Sequence, residues 1–270
     1  SGRPPAAEDA ARVHDLSHLP PTEVPLALRE LHGDVAVGET VGLAFARTAT
    51  VADGRGWSED LLRAVLEGAG FDVRSLTPQV RPASERFHVV ARRERTIADT
   101  VGADMRMLLV GLNPSLVAAD AGVGFHRRGN RAWPALLRAG LATVDRDPVD
   151  LLLRHRIGMT DLVKRASPRA AELTAEEYAH GVDRLDRICA WLRPGLVCVM
   201  GVTGWRHAVD RDARTGLQER RLGGCRVRVV PNPSGANAHV TLDDMAAQLG
   251  AAFDDAGDDG VPRDCCRDAP

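Results

Sequence analysis

Two strand-like runs stand out because each passes from apolar residues straight into Asn-Pro. They are Leu108-Leu109-Val110-Gly111-Leu112-Asn113-Pro114-Ser115 and Val229-Val230-Pro231-Asn232-Pro233-Ser234-Gly235-Ala236-Asn237. Asn-Pro after a strand is ordinary turn chemistry, so neither run alone specifies a site. A third run, Gly158-Met159-Thr160-Asp161-Leu162-Val163, ends in a carboxylate. If Asp161 faces a pocket, it offers a base that can activate water. The structural alternative is a cap at a turn, paired with Arg165. Arg127, Arg128, Arg131, Lys164, Arg165 and His239 lie beside these runs and suit phosphate oxygens. Lys164 is the only lysine in the chain, so any mechanism that needs a lysine amine has a single candidate.

Composition narrows the remaining chemistry. The 270 residues carry a formal net charge of −2, which neither demands nor excludes a polyanionic partner. Cys189, Cys198, Cys225, Cys265 and Cys266 form no CxxC pair, and the first three fall in apolar runs where a thiol fills core, so no metal site and no cofactor are expected. No run approaches the ~18 apolar residues of a membrane span, and SGRPPAAEDAAR lacks the apolar segment of a secretory signal. A cytoplasmic monomer is the expectation.

The elements that must position these residues follow from periodicity. VPLALRELHGDVAVGE has helical spacing followed by a Gly-containing stop, TVGLAFART reads as a strand, and WSEDLLRAVLEGAGF is a helix opened by a Ser cap and closed by glycines. FDVRSLTPQ and RFHVVARRER are two strand candidates. The organisation restarts after ERTIADTVG: MRMLLVGLNPS is a buried strand ending in a turn, LVCVMG and CRVRVVPNPSG are strands, and NRAWPALLRAG, DPVDLLLRHR, TAEEYAHGVDRLDRICAWL and TLDDMAAQLGAAF are helices. Strands alternating with helices predict a three-layer αβα fold around a central, mostly parallel sheet, with function at the carboxyl ends of its strands. The predicted division is a flexible start over 1–21, a small α/β region over 22–95, the main α/β domain over 96–253 and an acidic disordered tail over 254–270.

Two resemblances follow. Residues 22–95 resemble the C-terminal half of a class I S-adenosylmethionine methyltransferase in their order of elements and their terminal strand pair. The half that would carry the Gly-rich cofactor loop is absent, which implies a scaffold unable to bind the cofactor. From about 105 to 250, the Asn-Pro runs together resemble the two signature motifs of the mismatch-specific uracil/thymine-DNA glycosylases. GLNPSLVAADAGVGFHRRGNRAW matches that family's first motif without a gap, and Gly158–Val163 falls where the family has a Gly-x-Thr-x-x-Val strand end.

The resemblance implies a monofunctional enzyme that hydrolyses the N-glycosidic bond of uracil, or of other damaged or mismatched pyrimidines, in DNA. Base flipping must come first. Asn113 would hold the attacking water, and Phe125, after Gly124, would stack on the extruded base. Backbone groups around Leu112, Ser115 and Phe125 would pair with the base edge. Asn232, Pro233, Ser234, Gly235, Ala236 and Asn237 would enter the vacated position, while Asn130, Arg131, Lys164 and Arg165 touch DNA. Two departures stand out. Ala236 replaces a bulky wedge, which favours single-stranded or weakly paired DNA. Asp161 stands where relatives carry lysine or asparagine, and if it faces the pocket it completes an Asn113/Asp161 pair. The alternative reading is a catalytically weak or inactive module of the same fold that binds damaged DNA. A third reading, from the N-terminal half, is a methyltransferase.

Overall fold

A computed structural model describes residues 13–47, 57–81, 84–235 and 240–257. Its first part runs β1 (Val13–Asp15), α1 (Val24–Asp34), β2 (Thr40–Ala46), α2 (Glu59–Gly68), β3 (Phe71–Arg81) and β4 (Ser84–Arg93). The strands form one sheet in the order β1-β2-β4-β3, with β1 parallel to β2 and β4 antiparallel to both its neighbours. The Ser cap holds: Ser58 Oγ accepts from Leu61 N–H at 3.1 Å, ahead of the acidic first turn of α2. One correction falls here. Val13–Asp15, inside the stretch expected to be loose, is a strand, because pairing with β2 supplies the order that its polar composition does not.

The second part runs β5 (Met107–Gly111), α3 (Leu116–Ala121), α4 (Ala132–Arg138), α5 (Pro148–His155), β6 (Ile157–Asp161), α6 (Ala175–Leu192), β7 (Leu196–Met200), α7 (Val202–Ala208), β8 (Gly216–Leu217), β9 (Val227–Val230) and α8 (Leu242–Asp255). Its sheet order is β6-β5-β7-β9-β8, parallel throughout except for β8. Five-residue strands buried along their whole length read as unbroken apolar runs, as parallel strands covered on both faces do. Their alternation splits the core. Leu108 and Val110 point to the layer holding α6, α1 and α2, while Met107 and Leu109 meet Trp133, Leu136, Met245 and Leu249 of α4 and α8. The first layer is continuous from Val24 and Leu62 through Leu185 to Val229, so the N-terminal sheet shares a core with the second. The tail expected to be disordered lies, from 258 onward, outside the described residues, as do Cys265 and Cys266. Among the described residues, no helix is long and apolar enough to cross a membrane.

Candidate active site at the ends of β5 and β6

The register of the parallel sheet creates the site. β5 and β6 run side by side with Gly111 opposite Asp161, and Asn113 follows two residues past Gly111, where the chain leaves the sheet. Gly111 has to be glycine: a Cβ there would collide with Asp161 Oδ1 and touch Phe125 Cζ at 3.4 Å. The missing side chain is what lets a carboxylate and an aromatic ring converge.

Asn113 is fixed by its donors. Its Nδ2 gives hydrogen bonds to the carbonyls of Arg165 (3.1 Å) and Pro114 (3.3 Å) and to Ser167 Oγ (2.9 Å). Only the amide nitrogen can donate to a carbonyl, so the amide orientation is settled and Oδ1 is left as the acceptor. Ser167, 3 % exposed, passes its own proton to Arg169 O at 2.9 Å and receives the Asn113 amide. Its backbone N–H donates to Pro114 O at 3.1 Å, which ties the two loops together.

Asp161 is 8 % exposed, and burial raises its pKa to about 6, against the lowering effect of Lys164. Among the described residues, no side chain or backbone group donates to its carboxylate. No helix starts directly after Asp161, and Arg165 pairs instead with Glu177, through Nη2 to Oε2 at 2.9 Å and through a second contact from Nε to Oε1. The cap role weighed for Asp161 is therefore not what the structure holds. A buried, unpaired carboxylate titrating near neutrality is a proton acceptor.

Behind Asp161 lies a buried ionic cluster. Asp99 Oδ1 accepts from Lys164 Nζ (2.7 Å) and Thr160 Oγ1 (2.6 Å), and Oδ2 accepts from Arg184 Nη1 (2.8 Å). Burial alone would raise the Asp99 pKa, but the two cations and these hydrogen bonds hold it below the ordinary carboxylate value. Arg184 Nη2 also donates to Asp161 O at 2.6 Å, so the cluster grips the strand end that carries Asp161.

Phe125 sits in the left-handed region (φ 58°), a costly conformation for a bulky residue that persists only where its surroundings enforce it. Trp133 Nε1 donates to Gly124 O at 2.8 Å and fixes the segment before the ring. Leu112 packs its side chain where Gly204 of α7 leaves room, and its carbonyl accepts from Val163 N–H at 2.9 Å.

Several residues expected at the DNA or the base make contacts within the protein. Lys164, expected on DNA phosphates, is 7 % exposed and donates to Ile97 O (2.6 Å) and Asp99, because a single ammonium buried between two acceptors has no route to the surface. Arg165 is committed to Glu177. Ser115, expected at the base edge, is the N-cap of α3, with Oγ accepting from Ala118 N–H. Asn130 Oδ1 accepts from Ala132 N–H at the start of α4. Arg131 joins the two Asn-Pro loops: its backbone N–H donates to Pro233 O (2.9 Å) and its Nη1 to Ser234 O (3.2 Å). Gly235 lies where a Cβ would press on Gly129 O at 2.8 Å, and Asn232 Oδ1 closes its turn by accepting from Ser234 N–H. Arg127 and Arg128 are exposed beside this junction and line an open groove with Asn130, Ser234 and Gly235. Ala236, Asn237 and His239 lie outside the described residues.

Ser167, Asp99 and Arg184 are the site residues that sequence reasoning missed. Ser167 meets Asn113 across 54 positions of chain, and nothing local in RAS marks it. An arginine on the apolar face of α6 is the one signal that pointed to Arg184, since a buried charge requires a partner.

A family model described as the uracil DNA glycosylase superfamily matches residues 98–255. Among solved structures, the chain is similar to the solution NMR structure of a candidate uracil DNA glycosylase from Methanosarcina acetivorans. The two are 19% identical, the match covers 60% of this chain and 97% of that one, and the TM-score is 0.44.

Proposed function

The chain belongs to the uracil DNA glycosylase superfamily, and from that membership and the geometry at β5 and β6 we propose that it hydrolyses the N-glycosidic bond of uracil in DNA. Other damaged or mismatched pyrimidines fall in the same substrate class. The observation that carries the reading is the Asn113 amide, locked by Ser167 and the Arg165 carbonyl, ending the strand that pairs with buried Asp161.

Asn113 Oδ1 accepts a hydrogen bond from the attacking water and orients it. Asp161 takes the proton as the water oxygen bonds to C1′ of the sugar and the base leaves as an anion. The amide contributes positioning and the carboxylate contributes basicity, which an asparagine lacks. Phe125 stacks on the flipped base. The product is an abasic site in an uncut strand: the only lysine is buried in an ion pair with Asp99, which supports monofunctional hydrolysis over Schiff-base chemistry. Ala236 in the second loop supports a preference for single-stranded or weakly paired DNA. The β3–β4 pair and the strand order β1-β2-β4-β3 support the methyltransferase-like ancestry of the N-terminal sheet.

The test is uracil release from single-stranded, U·G and U·A oligonucleotides, followed by alkaline cleavage of abasic sites, with wild type, Asn113→Ala and Asp161→Asn. Release by wild type and its loss in both variants is expected. DNA binding with no release on any substrate refutes the enzyme and leaves a damage-binding module.

A further inference from the structure

We propose that Arg29, on α1 of the N-terminal sheet region, is a positioning residue for the loop that carries Phe125, so that the region ahead of the matched family segment forms part of the base pocket. This rests on the functional reading above.

The hydrogen bonds are explicit. Arg29 Nη2 donates to Gly122 O at 3.1 Å and Nη1 to Ala98 O at 2.9 Å. Gly122 is the left-handed C-cap of α3 (φ 65°), three residues before Phe125, which is itself left-handed. The short span from 122 to 125 is therefore held at both ends, by Arg29 at Gly122 O and by Trp133 at Gly124 O. Two left-handed residues this close give the ring a direction that a free loop would not keep, and fixed carbonyls remove that freedom.

The second bond reaches the other wall. Ala98 lies in the segment whose Ile97 carbonyl accepts from Lys164, whose Asp99 anchors the ionic cluster and whose Thr100 bridges to Met159 of β6. One guanidinium thus sets the spacing between the Phe125 loop and the strand end that carries Asp161. Arg29, Asp99, Phe125, Met159, Asp161 and Lys164 surround a cavity of about 10 Å³, room for about one water molecule, so the side chain also lies against the reacting groups' immediate shell. Its charge is balanced by Asp147 and Asp99 on neighbouring elements. A planar fork that spans two carbonyls is specific to arginine, because an ammonium cannot reproduce that geometry.

The experiment uses the full chain with Arg29→Met and Arg29→Lys. With a uracil-containing oligonucleotide, Arg29→Met is expected to lose about tenfold or more in kcat/KM, the scale of one charge-assisted hydrogen bond, while binding to an abasic duplex stays within about twofold. Arg29→Lys recovers part of the loss. Amide hydrogen exchange at residues 122–125 rises about tenfold in Arg29→Met, while α4 and β5 keep their protection. Where Arg29→Met does not fold, Arg29→Lys carries the same comparison. Unchanged kcat/KM and unchanged exchange at 122–125 overturn the proposal, as does an equal loss of uracil-DNA and abasic-DNA binding, which marks general damage. If wild type releases no uracil, the functional reading fails by itself, and the exchange measurement still decides whether Arg29 orders the loop.

Discussion

Replacing Asp161 with asparagine should make the protein more stable at neutral pH and less active, and the size of the gain follows from its environment. Burial raises this carboxyl from 3.8 to about 6. A carboxyl that holds its proton more tightly in the folded chain than in the unfolded one supports folding most at low pH. That support fades as pH rises from 3.8 to about 6, and above this range the folded chain bears the whole cost of the buried charge. A difference of roughly two pH units at about 1.4 kcal/mol each amounts to about 3 kcal/mol. Asp161→Asn removes the charge in a near-identical shape, so it should be about 3 kcal/mol more stable than wild type at pH 8 and nearly equal to it at about pH 4. For a chain of this size, that corresponds to about 5–10 °C in Tm at the higher pH. Thermal or urea unfolding of both proteins from about pH 4 to 8 reads the gap, and uracil release on the same samples reads activity. In wild type, kcat/KM should fall with decreasing pH below about 6 as Asp161 gains its proton. A stability gap that stays constant across the range, or a variant less stable than wild type at the alkaline end, refutes the reasoning.

Asn113→Ala should lower uracil release by about a hundredfold or more while DNA binding persists, as measured by single-turnover kinetics and fluorescence anisotropy. Ser167→Ala removes the shortest of the three hydrogen bonds that hold the Asn113 amide and should lower kcat by about tenfold with KM unchanged, the pattern of a group felt only during bond breaking. Lys164→Met leaves Asp99 buried with one cation too few and should cost about 3–5 kcal/mol in urea unfolding, with no change in the salt dependence of DNA binding. Arg127→Ala with Arg128→Ala should reduce the slope of log Kd against log salt by about 0.9 for each phosphate that is no longer neutralised, because these two arginines are exposed along the groove where the two Asn-Pro loops meet.

Features set by local pattern were legible in the sequence. The buried strands MLLVG and LVCVM, the Thr-capped α6 and the Ser-capped α2 declare themselves through periodicity and caps, and the alternation of strands and helices implies the parallel sheet. Short elements did not declare themselves: α3 and α7 span six and seven residues, too few for a helical period to build up, and β8 has two. Within the candidate site, the placement of Asn113 and Asp161 at strand ends and of Phe125 after a glycine was legible from motif spacing. The environment of each was not. Whether Lys164 faces DNA or Asp99 depends on a partner 65 positions away, and the link between Asn113 and Ser167 crosses two loops. A charged residue beside a motif carries no mark of which side of the sheet it will meet.

The buried charges suggest why a carboxylate serves at this strand end. Lys164 and Arg184 are cations, Asp99 is an anion, and Asp161 is the fourth ionisable group, close enough to feel all three. With Asp161 ionised these four groups sum to zero, and with Asp161 protonated they carry one positive charge, while Arg29 beside them interacts with Asp147 as well as Asp99. If the water proton moves to Asp161 as the glycosidic bond breaks, that positive charge appears as the departing base becomes an anion. Opposite charges attract strongly where water is excluded, and this attraction exists in the transition state but not in the ground state. An asparagine at this position would leave the cluster positive throughout, able to attract an anion but not to accept a proton. A variant that keeps its affinity for product while losing kcat would therefore separate the acid–base role of this residue from the fixed charge behind it.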